Sequence, residues 1–196
     1  MASKIIVDQL EKSGYTTLTL PSANATANQY IKNDGAGALS WATLPESGKM
    51  LQVISNTWFT TSSTTSTTYA LVTDSGTTIT PSATTSKIWI SGYVTIDTSG
   101  NDQGRIKLYN GGSEITDATG TAGSSSNAMV ATNGMGLSVA GVKALPYSFL
   151  LSPSTTSAVT INLYHACSGG TSYINRNHGN TTEGFSSSMT LMEIGA

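Results

Sequence analysis

Residues 87–97 read KIWISGYVTID, and they give the clearest indication of a β fold. Its apolar residues recur with a period of two, which is the side-chain period of a β-strand. One face carries Ile88, Ile90, Val94 and Ile96. The opposite face carries Trp89, Ser91, Tyr93 and Thr95. Because large aromatic rings lie on this second face, we expect it to be covered too, by a neighbouring subunit or, in a monomer, by another part of the same chain.

The same alternation recurs along residues 49–196 at intervals of about 8–12 residues, the spacing typical of a sandwich or jelly roll. In Ser157–Ala166, the inward positions are Val159, Ile161 and Leu163. Further predicted strands are Met50–Asn56, Tyr69–Thr73, Thr77–Thr80, Gly104–Tyr109, Met135–Ala140, Tyr147–Leu151, Ser172–Arg176 and Ser187–Ile194. Turns rich in Gly, Asn and Ser join them at 99–102, 110–113, 120–127 and 168–171. The segment TTSSTTSTT, residues 60–68, predicts a polar loop or an exposed edge strand.

The composition favours an all-β chain and argues against several classes of function. Charged residues make up 10% of the chain, against about 25% in a typical soluble domain. Ser and Thr together account for 59 of 196 residues, which favours strands and turns over helices. A net charge of −2 without basic clusters argues against nucleic-acid binding. No apolar run suits a membrane span or a secretory signal, and the single Cys167 cannot form an internal disulfide.

The first 48 residues have a different organisation from the rest. Two short strand-like segments, Lys4–Val7 and Tyr15–Leu20, are separated by turn residues. Asn33-Asp34-Gly35 predicts a turn between Gln29–Lys32 and Ala38–Ala42. A phosphate-binding loop would need a third glycine and a helix behind it, and neither follows. We therefore expect an N-terminal strand-and-turn anchor at 1–48 and a jelly-roll-like β-sandwich at 49–196.

Candidate catalytic and metal-binding side chains are few. His165 and Cys167 lie two residues apart on one predicted strand without a third orienting group, so burial is favoured over a cysteine nucleophile. His178 and Glu183 supply too few ligands for a metal site. Together with Arg176 they predict an exposed loop that contacts a partner.

Acidic residues give no stronger signal. Asp97 and Asp102 flank a turn whose spacing differs from that of a calcium-binding EF-hand loop. No pair of acids suited to glycoside hydrolysis stands out among the 11 acidic residues, although such a pair could form between subunits. We predict a protein without catalytic residues, metal or cofactor.

A family resemblance appears in the first 45 residues. They resemble the N-terminal region of small virion structural proteins from tailed bacteriophages, especially those of marine and cyanobacterial hosts. The resemblance lies in a start of the form MASKIxVDQLE, a TLTLP strand and an NQxIxxDGxGxLSW element. In that element the matching residues are Asn28, Gln29, Ile31, Asp34, Gly35, Gly37, Leu39, Ser40 and Trp41. Residues 49–196 are similar only in pattern to trimeric jelly-roll knobs of the tumour-necrosis-factor and complement type and of phage fibre tips.

The resemblance implies a homotrimeric virion surface protein that is assembled in the host cytoplasm and contacts other virion proteins. As a capsid decoration protein, of the cement or head-fibre type, it would bridge capsomers. As a tail fibre or spike, it would bind a host receptor or glycan. The short chain favours decoration, whereas the polar loops at 120–127 and 168–184 favour glycan contact. A glycan depolymerase or a lectin-like module is the remaining hypothesis.

Assembly is also expected on physical grounds. An isolated hairpin is marginal in water, so intertwined copies or a docking surface would have to bury the apolar residues of the anchor. These residues are Ile5, Val7, Leu18, Leu20, Ile31, Leu39 and Trp41. On the sandwich, Trp89 and Tyr93 are the predicted contacts between subunits.

Overall fold

The computed structural model describes residues 8–10, 13–14, 16–45, 48–99, 102–119, 127–131, 141–180 and 182–195. The chain divides into two compact units, Met1–Glu46 and Ser47–Ala196. The predicted strands Lys4–Val7 and Met135–Ala140, with Ile5 and Val7, lie outside the described residues. Within the described ranges the one helical element is a 3₁₀ turn, Thr116–Ala118. No described helix has the length and apolar character needed to cross a membrane.

The first unit consists of two small antiparallel pairs. Strand β1 (Gln9–Leu10) pairs with β2 (Leu18–Thr19). Strand β3 (Gln29–Asn33) pairs with β4 (Leu39–Thr43), in a register that places Ile31 opposite Trp41. The turn predicted after Asn33 is therefore confirmed as the connection of a hairpin.

The first sheet of the second unit is centred on two long antiparallel strands, β10 (Gly104–Asn110) and β14 (Val159–Cys167). On one side of β10 lie β11 (Ser113–Glu114) and β12 (Val130–Ala131). Beside β14 lie β7 (Ala70–Leu71) and β8 (Thr77–Ile79), which follow one another along the same edge. The two-residue strands are too short to show a period in sequence, so β11 and β12 were not predicted.

The second sheet is larger. Its main strands run in the order β5 (Met50–Trp58), β16 (Ser187–Ile194), β9 (Lys87–Thr98) and β13 (Lys143–Leu151). Beyond the end of β16, the short strand β15 (Ser172–Ile174) pairs with β9 and with β6 (Ser62–Thr64). The predicted edge strand within 60–68 is thus confirmed.

The core lies between the two sheets, since their inward side chains form one buried cluster. Both predicted alternations are confirmed: the inward residues of β9 and β14 are buried, while Trp89 lies outward. The fold is therefore all-β and jelly-roll-like, as predicted. Burial of these β-branched and Leu side chains stabilises the sandwich by about 1.5–3 kcal/mol each, before chain entropy is subtracted.

Strand β13 begins four residues before the predicted Tyr147. A proline normally argues against a central strand, and Pro146 lies within β13. In the structure Pro146 pairs with Tyr93, and among the described residues β9 is the only strand that pairs with β13. Proline is tolerated because β13 forms this edge of the sheet.

Candidate functional site

The glycine-containing turn of the first unit is a structural element. The carboxylate oxygen Oδ1 of Asp34 accepts hydrogen bonds from the backbone N–H groups of Ala36 (2.8 Å) and Ala38 (3.1 Å). Gly37 has a φ of +100°, and a Cβ at this position would overlap the carbonyl oxygen of Thr17. Only glycine satisfies both conditions, so the motif residues serve the geometry of the turn.

The apolar anchor residues within the described ranges differ in exposure. Leu18, Leu20, Leu39 and Trp41 are half-buried, and the side chain of Ile31 is 48% exposed. The indole Nε1 of Trp41 donates a hydrogen bond of 2.7 Å to the carbonyl oxygen of Ala23, so the ring is held within the first unit. Burial of these residues by another copy or by a docking surface stays a prediction.

His165 is fully buried, as the burial interpretation predicted. Its Nε2 lies 3.1 Å from the hydroxyl of Ser62 and its Nδ1 lies 3.4 Å from that of Ser172. Burial lowers the pKa of His165 to about 4, so the ring is neutral at pH 7.

Cys167 lies on the same inner side of β14 and is also buried. Burial raises the pKa of its thiol, which donates to the carbonyl oxygen of Gly169. The two ring nitrogens of His165 face serine hydroxyls, so the structure does not pair this histidine with Cys167 as a base with its nucleophile.

The predicted partner-contact loop is anchored by Asp97. Its Oδ2 accepts hydrogen bonds from the backbone N–H (2.9 Å) and the Nδ1 (3.0 Å) of His178, and its Oδ1 accepts one from the N–H of Thr98 (2.8 Å). Burial raises the pKa of Asp97, but these hydrogen bonds outweigh it and leave the pKa below its usual value. Asp97 is therefore an ionised group that holds the loop in place.

Arg176 and His178 are brought together around one aromatic ring. The guanidinium of Arg176 lies 4.4 Å from the ring centroid of Tyr173, and the imidazole of His178 stacks at a centroid distance of 6.5 Å. Gly184, beside the exposed Glu183, forms a β-bridge with Arg176 and closes the loop. This arrangement places the guanidinium of Arg176, whose Nε is buried without a hydrogen-bond partner, and the imidazole of His178 beside one aromatic ring.

Glu193 is a buried acid that sequence reasoning missed. Its Oε1 accepts hydrogen bonds from the backbone N–H (2.7 Å) and the hydroxyl (2.6 Å) of Ser82, and its Oε2 accepts one from Gln52. Burial raises the pKa of Glu193, but these hydrogen bonds outweigh it and bring the pKa to about 2. The available signal was its inward position in the alternation of β16. In the described part of the chain, no three His, Cys, Asp or Glu side chains are grouped to hold a metal ion.

The outer face of the first sheet carries charged and aromatic residues that contact one another. Tyr109 stacks on Tyr164 at a centroid distance of 3.9 Å. The ammonium of Lys107 lies 2.7 Å from the carboxylate of Glu114 and 4.6 Å from the ring centroid of Tyr69. Burial raises the pKa of Tyr69 to about 12. Sequence alternation in β10 places Lys107 and Tyr109 outward but does not identify these partners.

The outer face of the second sheet differs from that of the first. Register aligns four apolar side chains across four strands, and we call them the apolar row: Val53, Met192, Trp89 and Leu150. Trp89 is 38% exposed. Tyr93 is half-buried, and its hydroxyl lies 3.0 Å from that of Ser186. The predicted contacts Trp89 and Tyr93 therefore share one face, and their contact with another subunit stays a prediction.

Comparisons with known proteins found structural neighbours alone. No protein-family model matches the chain, and no curated protein is significantly similar to it in sequence. One structural neighbour is the VP2 subviral particle of infectious bursal disease virus, with a TM-score of 0.43 and 12% identity over 94% of this chain. Another is the T=1 particle derived from infectious bursal virus, with a TM-score of 0.41 and 14% identity over 95% of this chain. The chain spans 40% and 44% of the length of these two neighbours.

Proposed function

We propose that the protein is a non-enzymatic structural protein of a tailed-bacteriophage virion, assembled in the host cytoplasm as a homotrimer. The observation that carries this proposal is the agreement between the phage-type motif and the folded turn. Asp34 and Gly37 both belong to the motif, and the geometry of the hairpin depends on both. The motif therefore corresponds to a built structural element, and this supports the proposal.

The leading placement is capsid decoration, in which the first unit attaches to the shell and the sandwich lies on its outer surface. The division into two compact units suits this role, because attachment and display can reside in different units. Exposed apolar residues in both units, such as Ile31 and Trp89, would be covered by assembly. Immunogold labelling of intact virions with an antibody against the sandwich should mark heads, and labelling confined to tails would reject this placement.

Attachment through the first unit can be tested in the full-length chain. Gly37→Ala should distort the turn, because its Cβ meets the backbone of Thr17, and the number of copies bound per particle should fall. Ser40→Ala is the matched control, since Ser40 is an exposed residue of the same hairpin. If Gly37→Ala leaves the bound number of copies equal to that of Ser40→Ala, the turn has no part in attachment.

A tail fibre or spike that binds a host glycan is the second candidate. It is favoured by the cluster of Arg176, Tyr173 and His178, which presents donors and an aromatic ring in a surface loop. Labelling of tails, together with glycan binding that Arg176→Ala abolishes, would support it. Release of reducing ends from host polysaccharides would contradict the non-enzymatic assignment.

A further inference from the structure

On the outer face of the second sheet, twelve positions are aligned across all four main strands, and none of the twelve is charged. The exposed Lys87 lies on this face one row beyond them, where it pairs with Ile194 at the end of the sheet. Register arranges the twelve positions in three rows across β5, β16, β9 and β13. The first is the apolar row. The second consists of Ser55, Thr190, Ser91 and Ser148, and the third of Thr57, Ser188, Tyr93 and Pro146. We call these twelve residues the uncharged face.

The uncharged face leaves large apolar side chains in contact with solvent. Within the apolar row, Val53 is 48% exposed, Leu150 41% and Trp89 38%. These side chains are neighbours across the strands, so they form one continuous strip and not scattered surface residues. A continuous apolar strip of this kind marks an interaction surface.

The apolar surface continues around the edge of the sheet at β5. Ile54 pairs with the buried Leu191 and so points to the inner side, yet it is 38% exposed. Met50 and Phe59, at the two ends of this strand, are 59% and 69% exposed. The residues of β5, MLQVISNTW, include no charge and no proline, which are the usual protections of an edge strand.

The absence of charge indicates what kind of partner fits. A charge buried in a contact between two copies is costly unless an opposite charge meets it. The twelve aligned residues and strand β5 all lack charge, so these surfaces can cover one another without burying an unpaired ion. Depletion of charge is typical of interface cores. A glycan fits less well, because the twelve side chains include no carboxylate, amide or guanidinium to hold sugar hydroxyls.

We propose that the uncharged face binds a second copy of this chain, and that the exposed β5 edge of one copy packs against the apolar row of the next. A closed ring of three copies needs a heterologous contact, which joins two different surfaces of the same chain. The β9–β13 part of the apolar row, with Trp89 and Leu150, is one such surface, and the β5 edge is the other. They lie at opposite ends of the four main strands. This inference rests on the homotrimer proposed above and adds the location of its contact.

Light scattering of the full-length chain tests this contact. The wild-type protein should have a molar mass of three times 20.2 kDa. Leu150→Lys places a charge in the apolar row, and this variant should fall to the monomer mass. Leu71→Lys is the matched control: Leu71 is 50% exposed but lies on the first sheet, and this variant should stay trimeric.

A cysteine probe gives an independent result if Leu150→Lys fails to fold. The single native Cys167 is buried, so an introduced surface thiol reports its own accessibility. Ser148 belongs to the uncharged face and is exposed in the single chain, as is Thr78 of the first sheet. In the otherwise wild-type protein, Ser148→Cys should therefore react with a maleimide much more slowly than Thr78→Cys. Equal reaction rates would overturn the proposal.

The outcomes also separate this inference from the proposed function. A monomeric wild-type protein would overturn the trimer and the contact together. A trimer that survives Leu150→Lys, with a folded spectrum, would overturn the contact alone, and loss of glycan binding in that variant would assign the face to a sugar. A Leu150-dependent trimer that does not attach to virions would support the contact and contradict the decoration role.

Discussion

The two sheets of the sandwich share one core, but their outer faces differ. On the first sheet, Lys107 is paired with Glu114 and Tyr109 is stacked on Tyr164. On the second sheet, the uncharged face leaves Trp89 and its apolar neighbours exposed. Polar groups that bind one another already have partners. Covering an exposed apolar row with another surface, by contrast, lowers the free energy. One alternating pattern can therefore produce both a face of paired polar groups and an exposed apolar face.

The inner sides of the sheets also differ in their buried ionisable groups. His165 of the first sheet lies between two hydroxyls and is neutral at pH 7. Glu193 of the second sheet accepts three hydrogen bonds and is ionised at pH 7. The two sheets should therefore respond to acid in different pH ranges.

The largest expected effect is the loss of stability when a glycine of the second sheet is replaced by alanine, compared with the same change in the first sheet. A Cβ at Gly92 would overlap the carbonyl oxygen of Ser188 in the paired strand, so Gly92→Ala should lower the free energy of unfolding by roughly 3 kcal/mol or more. A Cβ at Gly104 would first meet the side-chain ends of Ile96 and Thr98, which can rotate, so Gly104→Ala should cost about 1–2 kcal/mol. Denaturant titration measures both losses. Equal losses would mean that the backbone of Ser188 gives way to an added methyl group as readily as the side chains of Ile96 and Thr98 do.

The next effect is an acid destabilisation that originates in the first sheet. The pKa of His165 is about 4 in the folded chain and 6.5 in the unfolded chain, so the unfolded state binds a proton that the folded state does not. The free energy of unfolding should fall by about 3 kcal/mol as the pH drops from 6.5 to 4. Thermal melts across this range, repeated for His165→Gln, measure it. A variant that keeps the full pH dependence would show that another group causes it.

Glu193 of the second sheet should act at lower pH. Its carboxylate accepts hydrogen bonds from Ser82 and Gln52. In Glu193→Gln, an NH₂ group replaces one carboxylate oxygen and faces a hydrogen-bond donor of Ser82 or Gln52. The substitution should cost about 2 kcal/mol at pH 7. Because the folded pKa is about 2 and the usual value 4.5, wild-type stability is lost as the pH falls from 4.5 to 2, so the difference between the two proteins should narrow there. A difference that stays constant below pH 4.5 would contradict this account.

The smallest effect belongs to the ion pair on the outer face of the first sheet. Lys107 and Glu114 are partly exposed, with side-chain exposures of 11% and 27%. Glu114→Gln should therefore lower the free energy of unfolding by less than about 1 kcal/mol, and added salt should reduce the effect. A double-mutant cycle with Lys107→Met isolates the pair. A coupling well above that value would mean that this face contributes to stability as a network.

The sequence predicted the long strands because their alternation is sustained. Strands β9, β14 and β16 were predicted within two residues of their observed ends. Prediction failed where local signals conflict or are too short, as at Pro146 in β13. The candidate surfaces were predicted less completely. Trp89 could be assigned to an outward face, but Ser82 and Glu193 are separated by 111 residues, so no local pattern could indicate their hydrogen bonds.

Asn175 illustrates the same limit inside the fold. It is fully buried with a φ of +58°, and its Nδ2 donates to the carbonyl oxygens of Trp58 and Thr60. Its Oδ1 accepts a hydrogen bond of 2.6 Å from the hydroxyl of Ser187. In the sequence it lies within the predicted strand Ser172–Arg176, but the observed strand, β15, ends before it. Its role depends on strands β5 and β16, which reach it through tertiary pairing.

The all-β class, the hairpin of the first unit and the inward and outward faces of the long strands β9 and β14 could be predicted from the sequence alone. These properties follow from local rules, namely the period of two along a strand and the φ angles that glycine permits. Which outward residues become neighbours depends on how distant strands pair. Val53, Trp89, Leu150 and Met192 come from four distant segments, and only the strand register aligns them in one row. Alternation along a strand sets the side of the sheet on which a residue lies, whereas pairing between distant strands sets which residues are its neighbours there.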